Sequence, residues 1–222
     1  MPQITSDAEH PLGLREASRR ERLARILNAA EELFSAKGFD HVTTREIAQR
    51  AGVGEATLFR YVPNKADLLL RVIGRTQDDL IDELELIDDS TAAEAAANPA
   101  GQWYINRINE IYRARIRYYT TDPKNVAQFV VSGLQADSNV GTLSTKAGDR
   151  IISRVQSIVQ AGQVSGALRD DVDALIVARN INGTYIHEVL RSPARHLSIP
   201  GTWDRLSERF DAMLRPLIIA SR

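Results

Sequence analysis

The chain has 222 residues, 43% hydrophobic and 26% charged, the composition of an ordinary soluble globular protein with room for one large domain or a small domain joined to a larger one. It contains no cysteine, which excludes disulfides, Cys-ligated zinc, iron-sulfur clusters and thiol catalysis, in keeping with a reducing cytoplasm. The formal net charge of -1 gives the whole molecule no attraction for nucleic acid, so any DNA affinity must come from a local patch.

In chain order, residues 1–17 read as a flexible arm, without the apolar core that a signal peptide needs. Uncharged runs such as Asn125 to Ala136 fall well short of the roughly 18–20 apolar residues of a membrane-crossing helix. Arg15, Arg19, Arg20, Arg22 and Arg25 fall within eleven residues, opposed by Glu16 and Glu21; the patch is either a solvated helix start or an electrostatic footprint.

Leu23, Ile26, Leu27, Ala30, Leu33 and Phe34 recur at spacings of three and four, predicting a helix from about Ser18 to Lys37. Gly38 supplies its C-terminal stop, and Phe39 folds back on the last turn. Thr43 and Glu46 have capping-box spacing and open a second helix running to about Arg50, with Ile47 and Ala48 buried. Gly52 breaks it. A third helix starts at Gly54, turns Leu58 and Val62 inward and stops by Pro63. Asn64 is the next N-cap, with Asp67 in the first turn of a long helix that buries Leu68, Leu69, Val72, Ile73, Leu80, Leu84 and Ile87. The small, polar run DDSTAAEAAANPAG reads as a mobile link.

Further helices are expected near Trp103–Thr120, Lys124–Ala136, Leu143–Ala161, Asp173–Arg191 and Trp203–Ala220, with Pro216 ending or kinking the last. No run alternates as a half-buried strand does, so the fold class is all-α. The expected division is residues 1–17, an arm; 18–64, a three-helix DNA-binding domain; and 65–222, a larger helical ligand-binding and dimerisation domain.

Residues 43–61, TTREIAQRAGVGEATLFRY, meet the demands of a helix-turn-helix. Ala48 is small where the helices pass closely, Gly52 suits positive φ in the turn, and Ile47, Val53, Leu58 and Tyr61 or Val62 supply a shared core. That arrangement leaves Glu55, Ala56, Thr57, Phe59 and Arg60 facing outward, where such helices meet base edges in the major groove. The competing reading is a corner in a helical core.

From Ile26 to Leu69 the sequence ILNAAEELFSAKGFDHVTTREIAQRAGVGEATLFRYVPNKADLL resembles the TetR family of one-component transcriptional regulators. The resemblance implies DNA contacts from Thr44, Thr57, Tyr61 and Lys65, and its recognition helix spans Gly54, Glu55, Ala56, Thr57, Phe59 and Arg60. Lys65, Tyr61 and Thr44 suit phosphate, whereas Thr57, Ala56, Arg60 and Glu55 suit base reading. Gly54 stands where the family often has Ser and lacks a side-chain cap. Phe59 stands where it commonly has Tyr and offers only an apolar or thymine-methyl contact.

No phosphate loop, dinucleotide fingerprint, nucleophile elbow or metal-spaced histidine set is present; His10, His41, His187 and His196 are scattered, and no cofactor or catalytic activity is expected. The stretch WYINRINEIYRARIRYYTTDP interleaves tyrosines with Arg107, Arg113, Arg115 and Arg117. The resemblance implies an effector cavity in this part of the chain. Tyr104, Ile108, Tyr112, Phe129, Val155 and Tyr185 are its candidate lining, with plain core as the alternative. Ala174, Val177, Ala178, Ile181, Tyr185 and Val189 mark one apolar face, and Trp203, Leu206, Phe210, Met213, Leu214 and Leu217 mark another; together they predict a four-helix homodimer interface, with intramolecular packing as the alternative. The expected function is a homodimeric repressor released from a palindromic double-stranded operator by a small-molecule effector. The rival readings are a helical small-molecule-binding protein or enzyme whose N-terminal motif does not bind DNA, and a protein-binding adaptor.

Overall fold

A computed structural model describes residues 11–95, 99–133, 139–194 and 198–219. Within these residues the architecture is helical: α1 Pro11–Lys37, α2 Thr44–Arg50, α3 Glu55–Phe59, α4 Lys65–Ala93, α5 Gly101–Thr121, α6 Pro123–Ser132, α7 Asn139–Val164, α8 Ala174–Ala194 and α9 Thr202–Leu214, with short 3-10 turns at Phe39–His41 and Arg215–Leu217. Among the described residues, extended pairing is confined to one antiparallel bridge between Leu168 and Ile218. The chain divides into two compact units, residues 1–72 and 73–222.

In the first unit, Ile26, Ala29, Ala30, Val42, Ile47, Ala48, Ala51, Leu58, Val62, Leu68 and Val72 form the core, flanked by partly buried Leu33, Phe34, Val53 and Tyr61. α1 begins at Pro11 rather than Ser18. Proline is tolerated in a first helical turn, and Glu16 pairs with Arg20 one turn further on at 3.4 Å. Residues 1–10 of the expected arm lie outside the described residues. Gly38 ends α1 at φ 80°, and the Phe34 and Phe39 rings meet at 5.4 Å, as the sequence predicts.

In the second unit, α5 is buried along Tyr104, Ile105, Ile108, Ile111, Tyr112, Ile116 and Tyr119, and α7 along Ile151, Val155, Ile158 and Val159. α6 starts where Asp122 caps it and Pro123 takes the first turn. α6 ends by Ser132, short of Ala136, and residues 134–138 lie outside the description. α9 stops at Leu214, earlier than Ala220, because Pro216 cannot continue it. The chain then turns extended, and Ile219 N–H donates to Ala167 O at 3.1 Å while Arg169 N–H donates to Leu217 O at 2.8 Å. Gly101 allows this approach: a Cβ there would lie 2.7 Å from Ala167 O.

Three expectations need correction. α4 continues through Asp88–Ala93, which read as a link, because Asp88 and Asp89 are held by Arg107 and Arg154 and the Ser90 and Thr91 hydroxyls donate back to the Leu86 and Ile87 carbonyls. Ile87 is exposed, since the buried stripe of α4 runs through Leu84 and Asp88 instead. Most of the apolar faces assigned to a dimer interface are consumed within the subunit: Ala174, Ala178, Ile181, Tyr185, Val189, Leu206, Phe210, Leu214 and Leu217 are all buried in the single chain. A stripe pattern marks what is buried and not against which chain. α8 leaves Ile176, Asn180, Gly183 and His187 exposed.

The packing of α4 in the second unit is set by charge. Asp88 is only 4% exposed, and Arg107 of α5 donates to both its oxygens at 2.6 and 2.8 Å, with Arg154 of α7 3.3 Å away. Arg154 also pairs with Asp89 at 2.5 Å, and Arg150 reaches Asp82 at 2.6 Å and Glu85 at 2.8 Å. Removing one member of a buried pair strands its partner. Asp88→Ala should therefore lower the unfolding free energy by about 3–5 kcal/mol in urea denaturation, whereas Asp82→Ala, on the exposed end of the network, should cost less than about 1 kcal/mol.

Candidate nucleic-acid interface and ligand cavity

α2 is started by a complete capping box. Thr43 Oγ1 accepts from Glu46 N–H at 3.2 Å, and Glu46 Oε2 accepts from Thr43 N–H at 2.8 Å. Lys37 Nζ donates to the other Glu46 oxygen at 2.7 Å. The turn to α3 follows: Gly52 sits at φ 66°, its N–H donating to Gln49 O, while Val53 N–H donates to Ala48 O at 3.0 Å. The nearest atom to a Cβ at Gly52 would be Arg25 Nη1, 3.9 Å away, so backbone conformation rather than space demands glycine. Gly54 caps α3 by its carbonyl alone, accepting from Thr57 and Leu58 N–H at 2.8 and 3.0 Å.

Leu58 anchors α3 in the core, and this orients the rest of the helix. Glu55, Ala56, Phe59 and Arg60 are exposed, Phe59 at 45%, and Thr57 is half-buried. The Thr44 hydroxyl donates to Glu55 Oε1 at 2.6 Å, tying the first turns of α2 and α3 together. Arg60 Nη2 lies 3.4 Å from Thr57 Oγ1. Tyr61 is half-buried against the core. Lys65 Nζ donates to Phe39 O and Val42 O, both at 2.9 Å, above the Phe39 ring. One of its three N–H groups is thus left for a phosphate. The arginines of α1 from Arg15 to Arg25 are exposed, and the closeness of Arg25 to Gly52 brings that patch to the turn; sequence spacing alone did not connect the two.

Lys37 first, then the Thr43 bonds, hold the Glu46 carboxyl down at about 2 from its ordinary 4.5. A depressed folded-state pKa stabilises fully above the unfolded value and is lost as pH falls through the folded one. The Glu46 carboxyl resonance should therefore titrate near 2 by NMR, with the capping contribution to stability lost between about pH 4.5 and 2, and Thr43→Ala should move the midpoint up. Separately, Lys65→Ala removes two bonds from a charged donor and should lower stability by about 1–3 kcal/mol in denaturant titration. Thr57→Ala, which loses only the long Arg60 contact, should change stability by less than about 0.5 kcal/mol.

In the second unit a cavity of about 230 Å³ is walled by residues of α4 to α8, including Gln77, Arg115, Phe129, Ile152, Asn182 and Tyr185. Of the six predicted lining residues, Phe129 and Tyr185 reach it. Tyr112 stands one layer behind, its ring 5.6 Å from that of Tyr185 and its hydroxyl donating to Asn182 Oδ1 at 3.4 Å. Burial pushes that hydroxyl far above the ordinary phenol range, so it stays a donor. Tyr104, which donates to Ser165 at 3.0 Å, and the fully buried Ile108 and Val155 are core and do not line the cavity. Gln77, Arg115 and Asn182 also stand on the wall, and none of the three is among the predicted lining residues. Each interrupts an apolar stripe at helical spacing: Ile73–Gln77–Ile81, Ile108–Tyr112–Arg115–Tyr119 and Ala178–Asn182–Tyr185–Val189.

His187 is exposed, with Nδ1 3.0 Å from Arg209 Nη1; His10 and His196 lie outside the described residues. Among the described residues no cluster of His, Asp or Glu has metal-holding geometry, and no helix is long and apolar enough to cross a membrane.

A capped helix-turn-helix with an outward recognition helix, followed by a helical unit that carries a partly open cavity, defines a one-component DNA-binding regulator. Residues 26–72 match the model for bacterial regulatory proteins of the tetR family. The chain is 28% identical to the HTH-type transcriptional repressor KstR of Mycolicibacterium smegmatis, covering 98% of this chain and 96% of that one, and 28% identical to KstR of Mycobacterium tuberculosis over 95% and 86%. The fold is similar to that of Thermus thermophilus FadR, a TetR-family repressor crystallised with lauroyl-CoA, with a TM-score of 0.63 at 22% identity over 90% of this chain and 97% of that one. The chain is a DNA-binding transcriptional regulator of the TetR family.

Proposed function

We propose that this protein is a cytoplasmic homodimeric repressor that holds a palindromic operator through α2 and α3 and releases it when a small molecule enters the cavity of the second unit. The observation that carries the DNA reading is the burial of Leu58, which turns Glu55, Ala56, Phe59 and Arg60 outward behind a capped α2. Its support from comparison is the repressor function named for the KstR proteins, which align along nearly the whole chain. In this reading Thr44, Tyr61 and the free N–H of Lys65 meet phosphate, the amides of Gly54 and Glu55 open α3 toward the duplex, and Thr57, Ala56 and Arg60 read bases, with Phe59 on a thymine methyl. Glu55 accepts from Thr44 in the free protein and must exchange that bond to reach a cytosine amino group.

Release follows from α4, which begins at Lys65 and carries Gln77 of the cavity wall without interruption. Two recognition helices in a dimer read half-sites only at a fixed separation, so a small change along α4 weakens binding. A coupling of roughly 1–3 kcal/mol changes operator affinity about 5- to 150-fold.

Selection of genomic fragments by the purified protein, followed by anisotropy titration, should enrich a palindrome whose affinity falls linearly with log salt. Lys65→Ala should reduce the salt slope by about one and weaken all sites similarly, and Thr57→Ala should change preference among operator variants. A folded protein that enriches no site, or binds with no salt dependence, overturns the reading.

A further inference from the structure

Among the described residues, the cavity contains a cation without a counter-ion. Arg115 is 5% exposed, lies on the cavity wall and makes no ion pair with any described residue. Its Nη1 donates to Asn182 Oδ1 at 3.1 Å, its guanidinium stands 3.9 Å from the centre of the Tyr185 ring, and its Nε has no partner. The Tyr185 hydroxyl is buried and also unpartnered. Asn182 Oδ1 already accepts from Arg115 and Tyr112, which leaves the Asn182 amide to donate, and the side chain of buried Gln77 has no partner either. The acid on the wall, Asp149, is exposed and forms no pair with Arg115.

Buried charges are ordinarily paired, and isolated ones carry a large desolvation cost. A ring face and one amide oxygen offset part of that cost for Arg115 and supply no negative charge. The groove along Ile87, Trp103 and Arg107 shows the contrast, for its buried arginine, Arg107, is already neutralised by Asp88. Around Arg115 the free groups are mostly donors, and beside them stand the apolar Phe129, Val130, Ile152 and Ile186.

We propose that this cavity binds a small organic carboxylate, its oxygens received by the Arg115 guanidinium and by the Tyr185 hydroxyl, which is covered in the free protein and is uncovered by a small rotation of the side chain, and its apolar body lying on Phe129 and Ile152. The proposal rests on the effector reading above and names the chemistry of the effector. A cavity of about 230 Å³ lies below the roughly 300–1,000 Å³ of common ligand pockets, which selects a compact acid. Guanidinium and carboxylate match as planar, charge-assisted partners.

The test is calorimetric titration of the full-length protein with straight-chain and phenyl-substituted monocarboxylates of four to ten carbons, each against its primary amide. At least one acid should bind at least tenfold more tightly than its amide. Tyr185→Phe removes a hydroxyl that has no partner in the free protein, so it should leave the unliganded melting temperature unchanged or higher and weaken the acid about tenfold or more. Arg115→Met should abolish the preference for acid over amide. Equal binding of acid and amide, undiminished acid binding by Tyr185→Phe and Arg115→Met, or no binding by any acid overturns the proposal. Operator affinity is read separately on the enriched site: acid binding that leaves it unchanged removes the effector reading while the carboxylate site stands, and loss of operator binding in every state removes the DNA reading alone.

Discussion

A carboxylate cannot be buried alone, and Asp88 of α4 is buried. That constraint brings Arg107 from α5 and Arg154 from α7 to one point, and the exposed acids before it on α4 extend the contact through Arg150. Apolar packing would let α4 rotate or slide among nearly equal positions, whereas a bidentate guanidinium–carboxylate pair accepts one register. The helices held this way contribute to the cavity wall, so the space between them has a defined shape.

Arg115, another buried charge, follows the opposite rule. Asp88 is satisfied by its own chain, and Arg115 meets no acid among the described residues. The two sites lie in the same helical unit and differ in whether the counter-charge is internal. Satisfied, a buried charge is architecture; unsatisfied and beside an empty volume, it is a binding group in waiting.

The reading unit is held by local chemistry throughout. A capping box starts α2, positive φ at Gly52 turns the chain, and Lys65 ties the start of α4 to the carbonyls that precede α2. Lys65 therefore has a structural duty beside the phosphate contact proposed for it. The Thr44–Glu55 bond similarly occupies two residues of the proposed DNA face in the free protein, so docking at these two exchanges a bond.

Caps, turns and the apolar faces of α1, α2 and α3 were legible in the sequence because they depend on residues a few positions apart: Thr43 with Glu46, Gly52 between two short helices, Asn64 before α4, and Pro216 closing α9. The all-α class and the helix-turn-helix followed from the same short-range rules. What covers an apolar stripe is a long-range question, and there the sequence misled: Ile181, Tyr185 and Phe210 read as an interface and are buried in their own subunit, while Ile108 and Val155 read as cavity wall and are core. Arg115, Asn182 and Gln77 were visible as polar interruptions of buried stripes. Only tertiary structure could show that they converge on one cavity and that Arg115 meets no acid there among the described residues, because neither the pairing of a buried charge nor a cavity is a property of any segment of chain.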